Sequence, residues 1–257
     1  MAYITINGQK VRARKEETVL QVARRLGIDI PALCYHPALE PYAACRLCLV
    51  EATLNGRTRV VASCAYPIRD GLVVETDTEQ IHQLRRNLLK LYLAQAPNAE
   101  VIQQLAAEYG VTATPYPIRD PEENCILCGL CERVCQKVRG EAAISFAYRG
   151  INRQIVPPFE EDLDDCLGCG ACAFVCPTGA ITERYKAEAV TLDKWGAEIP
   201  MARCRVCGKP FAPASGIEHA AAELGIDSDE LCICPHCRQL AHSQALSKLE
   251  AGRSTAR

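Results

Sequence analysis

CILCGLCERVC, residues 125–135, and CLGCGACAFVCP, residues 166–177, decide how the middle of this chain is built. Both runs space their cysteines C-x2-C-x2-C-x3-C, and the second follows about forty residues after the first, an internal duplication. Three thiolates spaced by two residues can wrap one loop around three corners of an iron–sulfur cubane. The fourth, three residues on, lies too far round the chain to close the same cluster and ligates the other cluster of the pair. One [4Fe–4S] cluster is therefore expected on Cys125, Cys128, Cys131 and Cys176, and the other on Cys166, Cys169, Cys172 and Cys135. Gly129, Gly168 and Gly170 let the backbone approach the cluster sulfides. Zinc is the rival metal, but its sites take two separated C-x2-C pairs rather than three cysteines in one loop.

N-terminal to this pair, Cys34, Cys45, Cys48 and Cys64 have the spacing C-x10-C-x2-C-x15-C. Plant-type [2Fe–2S] proteins use a shorter first gap but the same order, with one loop carrying three ligands and a returning strand carrying the fourth. A [2Fe–2S] cluster is expected here, covered by the loop 35–44. A thioredoxin-like redox pair at Cys45–Cys48 wants a βαβ context that is absent, and structural zinc is the other rival. The surrounding residues 1–77 read as a small β-rich domain. Tyr3–Ile6 and Gln9–Arg14 flank the hairpin signal Asn7-Gly8. Thr18 can cap a helix over Val19–Leu26, and Gly27 suits its end. Arg46–Ala52, Thr58–Ser63 and Leu72–Glu75 read as strands. Residues 78–119 have helical periodicity over Glu79–Ala94 and Ala99–Tyr109, and contain no cysteine.

C-terminal to the pair, CRVCG at 204–208 and CICPHC at 232–237 form two knuckles about 25 residues apart, resembling a zinc ribbon on Cys204, Cys207, Cys234 and Cys237. A further iron–sulfur cluster is the main rival, since thiolate sites of this form take either metal. Cys232 and His236 are left as spares or substitutes. A helix over Leu240–Leu249 closes the chain.

Composition agrees with a soluble metalloprotein. The 257 residues include 17 cysteines, 49% hydrophobic residues and only 5% aromatics. Acidic and basic residues nearly balance, 31 against 29, which speaks against nucleic acid as a main partner. The opening MAYITINGQKVRARK has no apolar leader and no stretch is long enough to span a bilayer, so a reducing cytoplasmic compartment is expected, where clustered cysteines bind metal. There is no Gly-rich phosphate loop, no flavin or nicotinamide fingerprint and no nucleophilic triad.

With the cysteine groups read, TVLQVARRLGIDIPALCYHPALEPYAACRLCLVE followed by ASCAYPIRDGLVVET resembles the N-terminal [2Fe–2S] domain of the large iron–sulfur subunit of respiratory complex I. The same domain opens the diaphorase ferredoxin subunit of NAD-linked hydrogenases, the iron-only hydrogenases and NAD-dependent formate dehydrogenases. CILCGLCERVC…CLGCGACAFVCPTGAI resembles their dicluster domain, so the likeness covers residues 3–182. It implies a β-grasp [2Fe–2S] ferredoxin domain over 1–77, a helical linker over 78–119 and a bacterial dicluster ferredoxin domain over 120–182. With the zinc-ribbon-like module and its helix over 198–257, which is read from its own cysteines and is not part of the usual hydrogenase subunit, the expected architecture is α+β. The resemblance also implies a cofactor set of one [2Fe–2S] and two [4Fe–4S] clusters, to which the spacing of the C-terminal group adds an expected zinc.

One departure is clear. The relatives carry a His-plus-three-Cys cluster site between the two ferredoxin modules, whereas AQAPNAEVIQQLAAEYGV here has no cysteine and no histidine. The expected function is a non-catalytic electron-transfer subunit in a hetero-oligomer. Its partners would be a flavoprotein that oxidises NAD(P)H and a catalytic subunit such as a hydrogenase, formate dehydrogenase or other reductase. The alternative is an iron–sulfur redox sensor, which would need an effector or nucleic-acid surface that the balanced charge does not supply. Candidate docking surfaces are the acidic run Glu160–Asp165 and a basic face of Arg85, Arg86 and Lys90.

Overall fold

In a computed structural model the described residues are 1–160, 163 and 165–254, with no side-chain description for 138, 139 and 247–254. They divide into two compact units. The first comprises Met1–Gly140, Phe146–Ile155 and Cys172–Ala180; the second comprises Glu141–Ser145, Val156–Ala171 and the chain from Ile181 onward.

The first unit begins with β1 (Ala2–Ile6) and β2 (Gln9–Ala13), paired antiparallel from Ala2↔Ala13 to Ile6↔Gln9 around Asn7-Gly8. Both turn residues have positive φ, 48° and 78°, as a tight hairpin requires. Helix α1 (Val19–Arg25) starts at Thr18 in a capping box: the Gln21 amide donates to the Thr18 hydroxyl and the Gln21 side chain accepts from the Thr18 amide. Strands β3 (Leu49–Leu54), β4 (Arg57–Ala62) and β5 (Val73–Glu75) complete a five-stranded sheet in the order β2-β1-β5-β3-β4, with β1 and β5 parallel. Val19, Leu20, Val22 and Ala23 of α1 pack on Ile4, Ile6, Val50 and Val74 of the sheet, each large aliphatic contributing about 1.5–3 kcal/mol by its burial.

Two helices follow in the same unit, α2 (Glu79–Gln95) and α3 (Glu100–Glu108). Thr78 fixes the start of α2 twice. Its hydroxyl accepts from the Ile81 amide at 3.3 Å and donates to Glu51 of β3 at 2.6 Å. Ile81, Leu89 and Ile102 are fully buried, so the linker is part of the unit's core rather than a spacer. The first cysteine repeat then forms a loop and α4 (Leu130–Val134), continued by a π-helical turn over Cys135–Arg139. The short pair β6 (Ser145–Ala147) and β7 (Gln154–Val156) and the helical turn α5 (Ala171–Phe174) lie where the chain passes between units.

The second unit is built on a four-stranded antiparallel sheet of β8 (Glu183–Tyr185), β9 (Ala189–Leu192), β10 (Ala197–Arg203) and β11 (Pro210–Pro213), in the order β11-β10-β9-β8. Helix α6 (Ala214–Leu224) packs on β10 and β11, and α7 (Ser228–Leu231) leads into α8 (Pro235–Ser254). The expected C-terminal helix is thus present but longer than 240–249, because it starts inside the second knuckle.

Candidate cluster and metal sites

Cys34, Cys45, Cys48 and Cys64 are all buried, and they come together where β3 begins and β4 ends. The 35–44 loop turns back through left-handed conformations at Ala43 (φ 56°) and Arg46 (φ 59°), which also delays β3 to Leu49 instead of the expected Arg46. The sulfurs are linked by hydrogen bonds, Cys34 with Cys45 and Cys64, and Cys48 with Cys64. Those contacts split the ionisations. Cys34 is held far down by the thiols of Cys45 and Cys64, and Cys48 is lowered to about 7 by Cys64. Cys45 is pushed up by its bond to Cys34 and by burial, and Cys64 by its bonds to Cys34 and Cys48. Four thiols this close cannot all ionise against one another; iron cations remove the conflict by holding every sulfur as thiolate. Two donors are already aimed at the sulfurs. The Cys45 amide donates to Cys34 Sγ at 3.4 Å. The Ser63 hydroxyl, 0% exposed and without an oxygen or nitrogen partner, lowers the Cys48 thiol. These residues fit a [2Fe–2S] cluster.

The first cubane set also fits. Cys128 and Cys131 are buried, while Cys125 and Cys176 are partly exposed. Burial raises both inner thiols, Cys128 to about 12, and the charges of Cys125 and Cys176 raise each of them further. Cys176 is therefore at the site of the first repeat although it belongs to the second, and all four residues fall in the first unit. The Leu127 amide donates to Cys125 Sγ at 3.4 Å. Gly129 has φ 72°, and a Cβ there would stand 3.1 Å from the Phe146 ring.

These two sets are neighbours. The charge on Cys34 contributes to the raised pKa of Cys128. Tyr92, from α2, donates its hydroxyl to the Cys45 carbonyl at 3.0 Å and is raised in pKa by burial and then by the charges on Cys45, Cys34 and Cys128. Gln95, one turn on, donates to the Cys125 carbonyl at 3.2 Å. Arg85, expected on a basic docking face, is 2% exposed. It donates to the carbonyls of Leu47 and Leu49 at 3.0 and 2.9 Å and to the Tyr109 hydroxyl at 3.0 Å, so it holds the loop between Cys45 and Cys48 onto α2. Of the acidic run, Glu161, Asp162 and Asp164 lie outside the described residues.

The second cubane set is divided between the units, Cys135 and Cys172 in the first and Cys166 and Cys169 in the second. Within the second unit the Gly168 amide points at Cys166 Sγ at 3.5 Å, and Ser215 donates to the Cys166 carbonyl at 2.9 Å. Cys169 is exposed. Gly170 has φ 66°, a conformation that favours glycine, and a Cβ there would displace the Glu183 carboxylate.

At the C-terminal group, Cys204, Cys207, Cys234 and Cys237 converge with their sulfurs all within 4.8 Å of one another. Cys207 and Cys234 are 3.8 Å apart. Tetrahedral zinc with Zn–S bonds of about 2.3 Å sets sulfurs roughly 3.8 Å apart. A cubane spreads its outer sulfurs much wider, because each hangs on a different iron. The Cys234 amide donates to Cys204 Sγ at 3.3 Å and heads the causes that lower Cys204 to about 6, while burial raises Cys237 to about 12. Cys232 stands outside the set.

Comparison with known proteins places these sites in context. Residues 1–79 match a 2Fe-2S iron-sulfur cluster binding domain family, and residues 124–180 and 159–210 match two families of 4Fe-4S dicluster domain. The chain is 35% identical over 214 residues to the NADP-reducing hydrogenase subunit HndD of Solidesulfovibrio fructosivorans, covering 71% of this chain and 36% of the relative. It is 34% identical over 270 residues to an NADH-quinone oxidoreductase subunit of Rhizobium meliloti, covering 91% of this chain and 30% of the relative. It thus spans about a third of the length of these curated relatives. A solved structure, the NAD+-reducing [NiFe]-hydrogenase in the H2-reduced state, has a chain 29% identical with a TM-score of 0.61, covering 84% of this chain and 95% of that one. Among the described residues, no helix is long and apolar enough to cross a membrane.

Proposed function

The chain is a relative of the iron–sulfur subunits of NADH-quinone oxidoreductase and NAD(P)-linked hydrogenase, and on that premise we propose that it relays single electrons within a multi-subunit oxidoreductase. It would receive them from a flavoprotein that oxidises NAD(P)H and deliver them to a catalytic subunit, or run the reverse way. The observation that carries this reading is the joint placement of the two inner cysteine sets in one compact unit, close enough for the charge of Cys34 to act on Cys128. When bound, one [2Fe–2S] and two [4Fe–4S] clusters supply one-electron transfer.

The chain's own residues do the rest. Burial of Cys34, Cys45, Cys48, Cys64, Cys128 and Cys131 keeps water from the inner sites. Amide donors to Cys34 and Cys125 and the Ser63 hydroxyl stabilise sulfur charge, which favours the reduced state. The stretch 94–111, where the resemblance would put an extra cluster site, is taken up by the end of α2 and by α3, and Tyr92 and Gln95 tie α2 to both cysteine loops. The second cubane set, with Cys169 exposed, suits the end that meets a partner. We assign zinc to Cys204, Cys207, Cys234 and Cys237 on the spacing of their sulfurs, as a structural centre for the ribbon.

The test is a reconstitution. Anaerobically purified chain, mixed with NADH and a dye acceptor, should show no turnover by itself and should become reduced when a flavoprotein subunit of this enzyme class is added. Brisk NADH-to-dye turnover by the flavin-free chain would sink the relay reading, because hydride chemistry needs a site that the sequence does not display.

A further inference from the structure

Arg133 lies between Cys131 and Cys135, yet its guanidinium reaches beyond that repeat to the N-terminal domain. It is 7% exposed. Its Nη2 donates to the carbonyl of Cys34 at 3.0 Å, its Nη1 to the carbonyl of Glu40 at 2.6 Å and its Nε to the carbonyl of Gly129 at 3.2 Å. The Tyr42 ring lies against it, 5.2 Å from centroid to guanidinium carbon. The partners are therefore a ligand residue of the [2Fe–2S] site, the loop that covers that site, and the cubane loop between Cys128 and Cys131.

Two facts set this residue apart. Among the described residues no carboxylate pairs with it; the nearby Glu40 carboxylate is taken by exposed Lys137 at 2.9 Å. A cation buried on carbonyl dipoles alone is costly, and it is retained where anions stand close by. The repeat does not need it either, since the matching position of the second repeat is Phe174, which is 84% exposed. Thiolate-ligated clusters on both sides would supply the missing negative charge.

We propose that Arg133 is a positioning residue that fastens the [2Fe–2S] loop to the first cubane loop and places one shared positive charge between the two clusters. A cation beside a cluster stabilises its reduced form, so both potentials rise, and the planar fork fixes the separation across which the electron passes. The proposal rests on the reading that both cysteine sets hold clusters, and iron analysis of the wild type tests that reading before any potential is measured.

The experiment is a redox titration of the full chain, followed by EPR, for wild type, Arg133→Met, Arg133→Lys and Lys137→Met. Arg133→Met should lower the potentials of the [2Fe–2S] centre and of the Cys125-set cubane together. At fixed ambient potential the reduced-to-oxidised ratio of each should fall roughly tenfold, or about 59 mV for one electron. The other cubane should keep its potential, and Lys137→Met should shift neither centre. Arg133→Lys keeps the charge but loses the fork, so its potentials should stay near wild type while the magnetic interaction between the two reduced centres weakens. If Arg133→Met fails to load iron, the lysine variant decides: an unchanged magnetic interaction overturns the clamp. Unchanged potentials in Arg133→Met, or a shift confined to one centre, overturn the shared charge.

Discussion

Replacing Arg85 by Met removes a buried cation while keeping most of its volume, so the cost is electrostatic and not that of a cavity. Arg85 makes three bonds in the wild type, to the carbonyls of Leu47 and Leu49 and to the Tyr109 hydroxyl. The variant leaves two acceptors beside the cluster loop without a donor. A buried acceptor left unpaired costs about 1–3 kcal/mol, and a bond from a charged donor is worth about 1.5–3 kcal/mol. We expect a loss of about 3–5 kcal/mol. With a urea slope of about 3 kcal/mol per molar for a unit of this size, the midpoint should drop by roughly 1–2 M. The assay is anaerobic urea titration of the full chain, read by the visible circular dichroism of the [2Fe–2S] centre. Arg86→Met is the control. Arg86 is more exposed, paired with Glu79 at 3.1 Å and donating to the Tyr109 carbonyl at 3.3 Å, so its loss should cost only about 1–2 kcal/mol. An Arg85→Met midpoint equal to wild type, together with weakened binding of a flavoprotein partner, would refute the reasoning and return Arg85 to a docking face.

Three further outcomes are expected. Cys176→Ala should remove the EPR signal of the cubane on Cys125, Cys128 and Cys131 and spare the other; loss confined to the Cys166 set would disprove the crossed pairing. Metal analysis of anaerobically purified chain should give about ten irons and one zinc, whereas about fourteen irons and no zinc would place a third cubane at the C-terminal group. Gly129→Ala forces a Cβ to 3.1 Å from Phe146 at φ 72°, and should destabilise the first unit by about 1–2 kcal/mol, seen as a lower melting temperature and easier loss of that cubane.

Local signals told the truth wherever chain neighbours decide the outcome. Asn7-Gly8 turns the first hairpin, Thr18 caps α1 and Gly27 ends it at φ 74°, all as read from adjacent residues. The spacing predicts a crossed pairing for Cys176, and the structure brings Cys176 near enough to Cys131 for its charge to act there. What escaped was set by distant partners. Arg85 belongs to an amphipathic helix whose charged positions look solvated, and only the carbonyls of Leu47 and Leu49 explain why it is inside. Arg133 hides in the same way, inside a cysteine motif that claims all the attention. The sheet of β8, β9 and β10 was not anticipated, although Ala189, Val190, Leu192 and Ile199 are buried along it. Its strands of 3, 4 and 7 residues carry no turn dipeptide as clear as Asn-Gly to announce them.

Burial also ranks the cysteine sets by how they meet oxygen. All four cysteines of the N-terminal set are buried, the first cubane set has two buried and two partly exposed, and the second has none buried and Cys169 exposed. Peroxide and superoxide attack where they can touch sulfur or iron, so on the proposed cluster loading damage to the isolated chain in air should begin at exposed Cys169. A preparation can then keep its [2Fe–2S] colour and signal after its outer end has gone dead. Brown colour would therefore be a poor measure of complete cluster loading.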